Sequence, residues 1–584
     1  MTITGAPRVQ PHTQTQLAIS IDRTPLGIAD QERLLEVRVD LGVRTIGQAR
    51  LTFVDRRGDG DLATRLLIID KEVTISSVEP SAVVMTGTIT AIEMDADRSG
   101  TTVTAVVQDD ARKLARSRGI VAYEDQSYSD LITKLIKDCG FKADVPRLPE
   151  RFPWLLQADT VLGLIDEVAG RFGLDWAAHR DTLALWSVSR TAPWASRQTL
   201  TLATELLTFS VRQVDHEPRS FTVRGWDSSG RRPAIATAQV RSTRDGFAPR
   251  EGNNGDVLAS NQVSATSEEV KAVAEGLAAA AGRVSGRGSA IFLPQLRPGG
   301  EVEIHGAGSA DGLYYVREVT HRTDASSLRT EFVVGDRAPV QLSDPWRSPP
   351  RLSSLRRHGV TIGIVDNVND PEELGRVRVS LAGMAEHTSS AWARVLSLGA
   401  GKGHGLVMLP EVDDEVLVAF EDDDVRRPVV LGGLFGAKTQ VAGPAPVDSG
   451  RVESRHLMSR NGHRVAIADG GANGEFVQMA LAGDAKRVHL GKDGTEIAAD
   501  NTPLKISSGG ASISFDGNGN ITISAQSLTL SAQQTVKVEG MDIVEKASNG
   551  YEASGIRTTL NASATAVVKG AASAEISGAM VKIN

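Results

Sequence analysis

ASISFDGNGNITISAQSLTLSAQQTVKVEG, residues 511–540, breaks into short alternating units whose central apolar pairs are Ile513/Phe515, Ile521/Ile523, Leu528/Leu530 and Val536/Val538. Successive pairs are spaced by eight, seven and eight residues, the mark of a repeat architecture. Side chains alternate across a strand, so each pair points to one side, and these eight residues form the candidate core of a shaft. A coil needs about three faces to enclose a core, and each unit here is one strand long. One chain could wind through all three faces in about four coils, or three chains could supply one face each. The second arrangement leaves no sheet edge open along the shaft and is the one expected, a trimeric β-helix needle. A loose Ala/Ser/Gly tail would not alternate so strictly with β-branched residues. Beyond Ala562 the inward positions shrink largely to alanine.

Working toward the N-terminus, AKTQVAGPAPVDSG (437–450) reads as a linker. Before it lie six strand-like runs, VTIGIVDNV, GRVRVSL, AWARVLSL, GHGLVMLP, DEVLVAFE and PVVLGGLF, within 358–436. Six short strands in that space suit a small closed barrel of the oligonucleotide/oligosaccharide-binding (OB) type. Residues 341–357 carry three prolines without periodicity and form another linker. From Leu17 onward β-branched alternating runs predominate, an all-β meander interrupted by helices. The helices are expected after Ser127, at 160–173 with Leu162, Ile165, Val168, Ala169 and Phe172 on one side, and from Thr266, where Glu269 completes a capping box. Between the last two, LDWAAHRDTLALWSV reads as a hairpin with Trp176 and Trp186 packing across it. The fold class is therefore mainly β. Its expected units are a flexible N-terminal arm (1–16), a β-barrel hub with helical insertions (17–340), the OB barrel (358–436), and a neck with needle (451–584).

Composition suits this reading. The 584 residues are 41% hydrophobic and 23% charged, but only 4% aromatic, with 57 glycines. Net charge is −8 and no basic stripe interleaves with aromatics, which argues against a nucleic-acid groove. The single cysteine, Cys139, excludes an intrachain disulfide. No apolar leader opens the chain, and no run of about 20 apolar residues occurs, so no secretory signal or spanning helix is expected.

Catalytic motifs fail in turn. GAGKGHG (399–405) lacks the GxxxxGK frame and reads as a hairpin turn. His216 stands in HEPR without a second histidine, and no two of the eleven histidines lie three to five residues apart. The acidic runs DRRGDGD (55–61) and EDDD (421–424) miss the calcium-loop pattern and read as solvated turns. No catalytic residue, cofactor or metal site is expected.

The order of units resembles the central spike of contractile injection machines, the VgrG proteins and the fused hub-plus-needle of contractile-tail phages. The resemblance is carried by LGRVRVSL (374–381), the tryptophan of AWARV (391–395) and GLVMLPEVDDEVLVAFEDDDVRRPVVLGGL (405–434). LRPGGEVEIHGAG (296–308) and LYYVREVTHR (313–322) are similar to the family's late-control segment, and MSRNGHRVAIAD (458–469) to the neck. It implies a non-enzymatic homotrimeric baseplate spike that joins the inner tube to a puncturing tip and pierces the target envelope. Its implied partners are inner-tube and baseplate proteins, cargo effectors and a PAAR-repeat tip protein, with the target membrane pierced rather than stably bound. Some phage needles end in an H-x-H metal cap, whereas this sequence has no histidine after His489. The tip protein would then dock on Met580, Val581, Lys582, Ile583 and Asn584. The fourteen residues 437–450 are too few for the lysozyme domain of some phage spikes, and no toxin domain is expected. The N-terminal stretch 24–55 resembles extracellular phage-tail-like particles more than membrane-anchored type VI systems. The protein would be made in the bacterial cytoplasm, assembled into the particle and delivered on firing. Two competing functions are a glycan-binding adhesin using the barrel and a cell-wall-processing enzyme on a β scaffold.

Overall fold

The computed structural model describes residues 17–583 except 56–60, 99, 149–150, 158, 214–218, 228–231, 241–256, 260–265, 282–283, 324–326, 336–358, 382–388, 440, 442, 444 and 472–473. The arm 1–16, the linker 341–357, His216 and Asn584 thus lie outside the described residues. Two compact units divide the chain, Met1–Gln440 and Val441–Asn584.

The first unit is organised by a 13-stranded sheet. Its early strands are β1 (Leu17–Ile21), β2 (Leu34–Gly42), β3 (Gln48–Asp55), β4 (Glu72–Ser77), β5 (Ala82–Asp97) and β6 (Gly100–Gln108). They pair antiparallel in the order β2-β3-β6-β5-β4-β1. Alternation decides which face is inside: along β3, Ala49, Leu51, Phe53 and Asp55 are buried and the residues between them are not. Asp55 is tolerated there because Arg33 reaches it at 3.2 Å, and Arg33 also meets Asp61. The ends of the DRRGDGD run are therefore ion-paired rather than simply solvated, which corrects the sequence reading.

Three helices cover the middle of this unit. Strand β7 (Val121–Ser127) leads into α1 (Tyr128–Asp138), where the Ser127 hydroxyl accepts from the Asp130 amide at 3.0 Å. Strand β8 (Arg151–Gln157) pairs antiparallel with β7 and precedes α2 (Val161–Arg171), capped by Thr160. Helix α2 buries Val161, Leu164, Ile165, Val168 and Ala169, while Leu162 is only half-buried. The hairpin of β9 (Leu174–His179) and β10 (Thr182–Ser187) forms, but Trp176 pairs with Leu185 and Trp186 with Asp175. That one-residue offset puts the two indoles on opposite faces, in separate cores. Helix α3 (Ser267–Ala280) begins at Thr266, whose hydroxyl accepts from the Glu269 amide. It crosses the end of α2 glycine to glycine: a Cβ on Gly276 would stand 2.6 Å from the Phe172 carbonyl carbon.

The barrel follows in the same unit. Strands β11 (Val360–Asn367), β12 (Arg378–Ser380), β13 (Arg394–Val395), β14 (Glu415–Phe420) and β15 (Pro428–Gly433) join in the order β12-β11-β14-β15-β13. The GAGKGHG turn is a hairpin, Ala400–Gly401 against His404–Gly405. GHGLVMLP is not a barrel strand as expected: after Gly405 it leaves the ladder and exposes Leu406, Val407, Met408 and Leu409. Its apolar character suggests a core strand, yet residues 406–410 have no partner strand among the described residues. EDDD is likewise not simply solvated, since Asp424 is buried against Arg426.

After a short hairpin, Val447–Asp448 against Arg451–Val452, the second unit forms a consecutive antiparallel sheet of β16 (Ser454–Met458), β17 (Arg464–Asp469), β18 (Glu475–Ala480), β19 (Arg487–Gly491) and β20 (Gly494–Ala498). A three-stranded sheet follows, β21 (Leu504–Ser508), β22 (Ala511–Phe515) and β23 (Ile521–Ser524), also antiparallel. From Ala525 to Ile583 no strand pairs within the chain among the described residues. Over residues 504–524 the antiparallel neighbours are those of a meander rather than of a coil.

Candidate functional site: a hub–barrel joint and an unpartnered apolar face

The first site is where barrel meets hub. Trp154 and Leu156 on hub strand β8 are buried inside the barrel's own core, among Val365, Val379, Val418 and Val430. The Trp154 indole Nε1 donates to the Ser389 carbonyl at 3.0 Å, which satisfies the one polar atom that this burial would strand. Beside it, Arg378 donates to Glu124 of β7 at 2.8 Å and lies 5.2 Å over the Trp392 ring.

A buried ionic cluster completes the joint. Arg426 follows the EDDD turn, and its guanidinium donates to Asp424 at 2.7 Å, to the Tyr128 hydroxyl at 2.8 Å and to Glu269 at 3.2 Å. Arg171 at the end of α2 donates to the same Glu269 oxygen. Two cations and two carboxylates thus balance in a site where every member is almost fully buried. Burial works against the Arg426 charge, but Tyr128, Asp424 and Glu269 overcome it and hold the guanidinium protonated well above its usual range. Burial pushes the Tyr128 hydroxyl upward, so it stays neutral and able to bond. The Glu269 carboxylate expected for the capping box is thus drawn into the joint by Arg171 and Arg426.

The second site is a sheet face. Across β16–β20, Leu457, Val465, Met479, Val488 and Ile497 form one cross-strand row, and Ile467, Val477 and Leu490 lie beside it on the same face. These eight are between 39 and 58% exposed. The opposite face buries Ala466, Ala468, Gln478 and Ala480. There Gln478 bonds His489 at 3.0 Å and Asp484 at 3.0 Å, and Arg464 reaches Asp484 at 2.6 Å. The apolar face is thus the open one, the reverse of a sheet that packs on its own chain.

The sequence-derived core residues continue that pattern. Ile513 pairs with Ile506 and Ile523, and Phe515 with Ile521, so the structure gathers these four of the eight on one face. Leu528, Leu530, Val536 and Val538 are not brought together. Phe515 is half-buried, while the other seven are exposed, from 38% at Ile513 to 69% at Leu530. At the C-terminal end Met580, Val581, Lys582 and Ile583 are exposed. Sequence reasoning missed the β16–β20 face, although RVAIAD, EFVQMA and RVHLG already show the alternation. It also missed the joint, whose partners Glu269 and Arg426 are 157 positions apart and carry no local signal. Among the described residues no group of three His, Cys, Asp or Glu is placed to hold a metal ion.

The first unit thus joins a small barrel of the OB type to a β-rich hub. Residues 361–435 match the family model for the type VI secretion system/phage-baseplate injector OB domain. The chain is VgrG-like. It is 29% identical over 186 residues to the type VI secretion system spike protein VgrG4b of Pseudomonas aeruginosa, covering 28% of this chain and 23% of that protein. It is 28% identical over 174 residues to VgrG5 of the same organism, covering 26% and 22%. The chain thus matches about a quarter of the length of these curated relatives. Among solved structures, Escherichia coli c3393, described as a type VI secretion component similar to the T4 tail proteins gp27 and gp5, gives a TM-score of 0.46 at 14% identity, covering 71% of this chain and 99% of that one. A half-lidded Francisella PdpA–VgrG complex gives 0.49 at 10% identity, covering 87% and 88%.

Proposed function

We propose that three copies of this chain form the non-enzymatic central spike of a contractile injection machine, joining its inner tube to the puncturing tip. The observation that carries this reading is the open apolar face of β16–β20, continued by the exposed pairs from Ile513 to Val538. Burying each such aliphatic side chain contributes roughly 1.5–3 kcal/mol, and identical copies are the partners that present the same strands in register. The joint supports a load-bearing role, because it binds hub and barrel through a shared core and buried charges. A PAAR-repeat tip protein is the proposed cap on Met580, Val581, Lys582 and Ile583, with baseplate, tube and cargo proteins as further partners.

The host machine is read from residues 24–55 as an extracellular particle, made in the cytoplasm and delivered on firing. The names of the Pseudomonas relatives favour a type VI machine as the second reading. Light scattering on the full chain tests the assembly: a mass near three times 62.0 kDa is expected, and 62.0 kDa itself contradicts it.

A further inference from the structure

A cavity of about 50 Å³ lies inside the first unit, walled by Val83, His179, Arg180, Trp194, Arg297 and Asp109, with Met85, Ala177 and Pro298 supplying apolar surface. That volume holds a few water-sized groups, and none of the joint described above lines it.

Its electrostatics are one-sided. Arg297 is 8% exposed, and its two Nη atoms donate to the carbonyls of Val84 and Val83. Those bonds use two of the five N–H donors of a guanidinium. Among the described residues no carboxylate lies within ion-pairing distance of it. A buried guanidinium without a counter-ion is an expensive arrangement, and carbonyl dipoles offset only part of it. Arg180 adds a like charge: burial first, then Arg180, lower Arg297 to about 10. His179 cannot add a compensating group, since burial and both arginines press it down to about 4, and its ring lies 5.4 Å from that of Trp194.

The one carboxyl group on the wall is already committed. Asp109 accepts from the Gly47 amide at 2.7 Å and from the Ala111 amide at 2.9 Å. Burial raises it to about 7, so it is largely uncharged in mildly acidic solution. The cavity therefore presents a fixed cation inside, a second cation at its exposed rim, neutral rings, and no free anion of its own.

We propose that this cavity binds a small carboxylate anion, held by the Arg297 guanidinium inside and Arg180 at the mouth. The planar fork of arginine matches a carboxylate in two-point contact, and the apolar wall accepts a short aliphatic tail. An acetate- to propionate-sized acid fits the volume, whereas a nucleotide or sugar phosphate does not.

The test is calorimetric titration of the full chain with sodium acetate at pH 6, at constant ionic strength, with thermal unfolding recorded in parallel. Saturable heat and a rise in Tm are expected, absent with sodium chloride at matched ionic strength. Arg180→Gln should weaken acetate binding about tenfold, the loss of one charge-assisted contact, and Arg297→Met should abolish it. Should Arg297→Met fail to fold, line broadening of 13C-acetate by wild type against Arg180→Gln gives the same comparison. No saturable acetate binding, an equal effect of chloride, or undiminished binding in Arg180→Gln overturns the proposal.

Discussion

Arg426 of the barrel places its Nη1 3.2 Å from Glu269 Oε1 on hub helix α3, inside a site that admits almost no solvent. Removing Arg426 leaves Asp424 buried without its cation and Glu269 held by Arg171 alone. Arg426→Met should therefore destabilise the first unit by about 3–5 kcal/mol, more than a surface pair could. Urea unfolding measures it. Glu269→Gln combined with Arg426→Met should fall short of the sum of the single changes, because both report one network.

Trp154 is a hub residue that fills the barrel's core. Trp154→Ala should cost about 3–5 kcal/mol, and hydrogen exchange should locate the loss in β11, β14 and β15 as much as in β7 and β8. Protection unchanged in the barrel strands would mean that the barrel stands without the hub side chain.

The joint shows where sequence reading stops. Ser127, Thr160 and Thr266 are caps written in local sequence, and the alternation along Gln48–Asp55 announces which residues go inside. Strand existence was legible there for the same reason, but at 528–538 the same alternation forms no strand within the described chain. The offset that separates Trp176 from Trp186 was not, because register depends on which cross-strand partners meet. Nor did any pattern mark Trp154 as belonging to a barrel more than 200 positions later. GHGLVMLP misled in the other direction: an apolar run says that a residue avoids water, not which surface covers it.

His321 supplies a pH prediction. Its ring is fully buried, bonds Thr330 at 3.0 Å, and burial with Arg297 nearby lowers it from 6.5 to about 3. Below pH 6.5 the unfolded chain takes up a proton that the folded chain refuses, so stability is full above 6.5 and is lost as pH falls toward 3. At pH 5 the loss from this histidine alone is roughly 2 kcal/mol. His321→Leu should flatten that acid limb in urea titrations between pH 7 and 5. An unchanged slope would place the proton uptake elsewhere.

Ile523→Asp puts a carboxylate on the face shared by Ile513 and Ile506. In the proposed assembly three such charges enter an apolar shaft, so the trimer should be lost while the first unit stays folded. Normal trimer yield from this variant would show that the face points outward.

Deleting 579–584 should leave the trimer intact and abolish co-purification of the proposed cap. A truncated spike that still binds the cap at wild-type level would remove the C-terminal end as the docking surface.

Met479 tests the assembly most directly, because in one chain it is 58% exposed, slightly more than Met94 at 53%. Thioether oxidation follows accessibility, so brief peroxide treatment of the native full chain, read by mass spectrometry, compares the two. If identical copies cover the β16–β20 face, Met94 converts to sulfoxide and Met479 remains protected until the protein is denatured. Oxidation of Met479 at the rate of Met94 in the native protein would contradict the account.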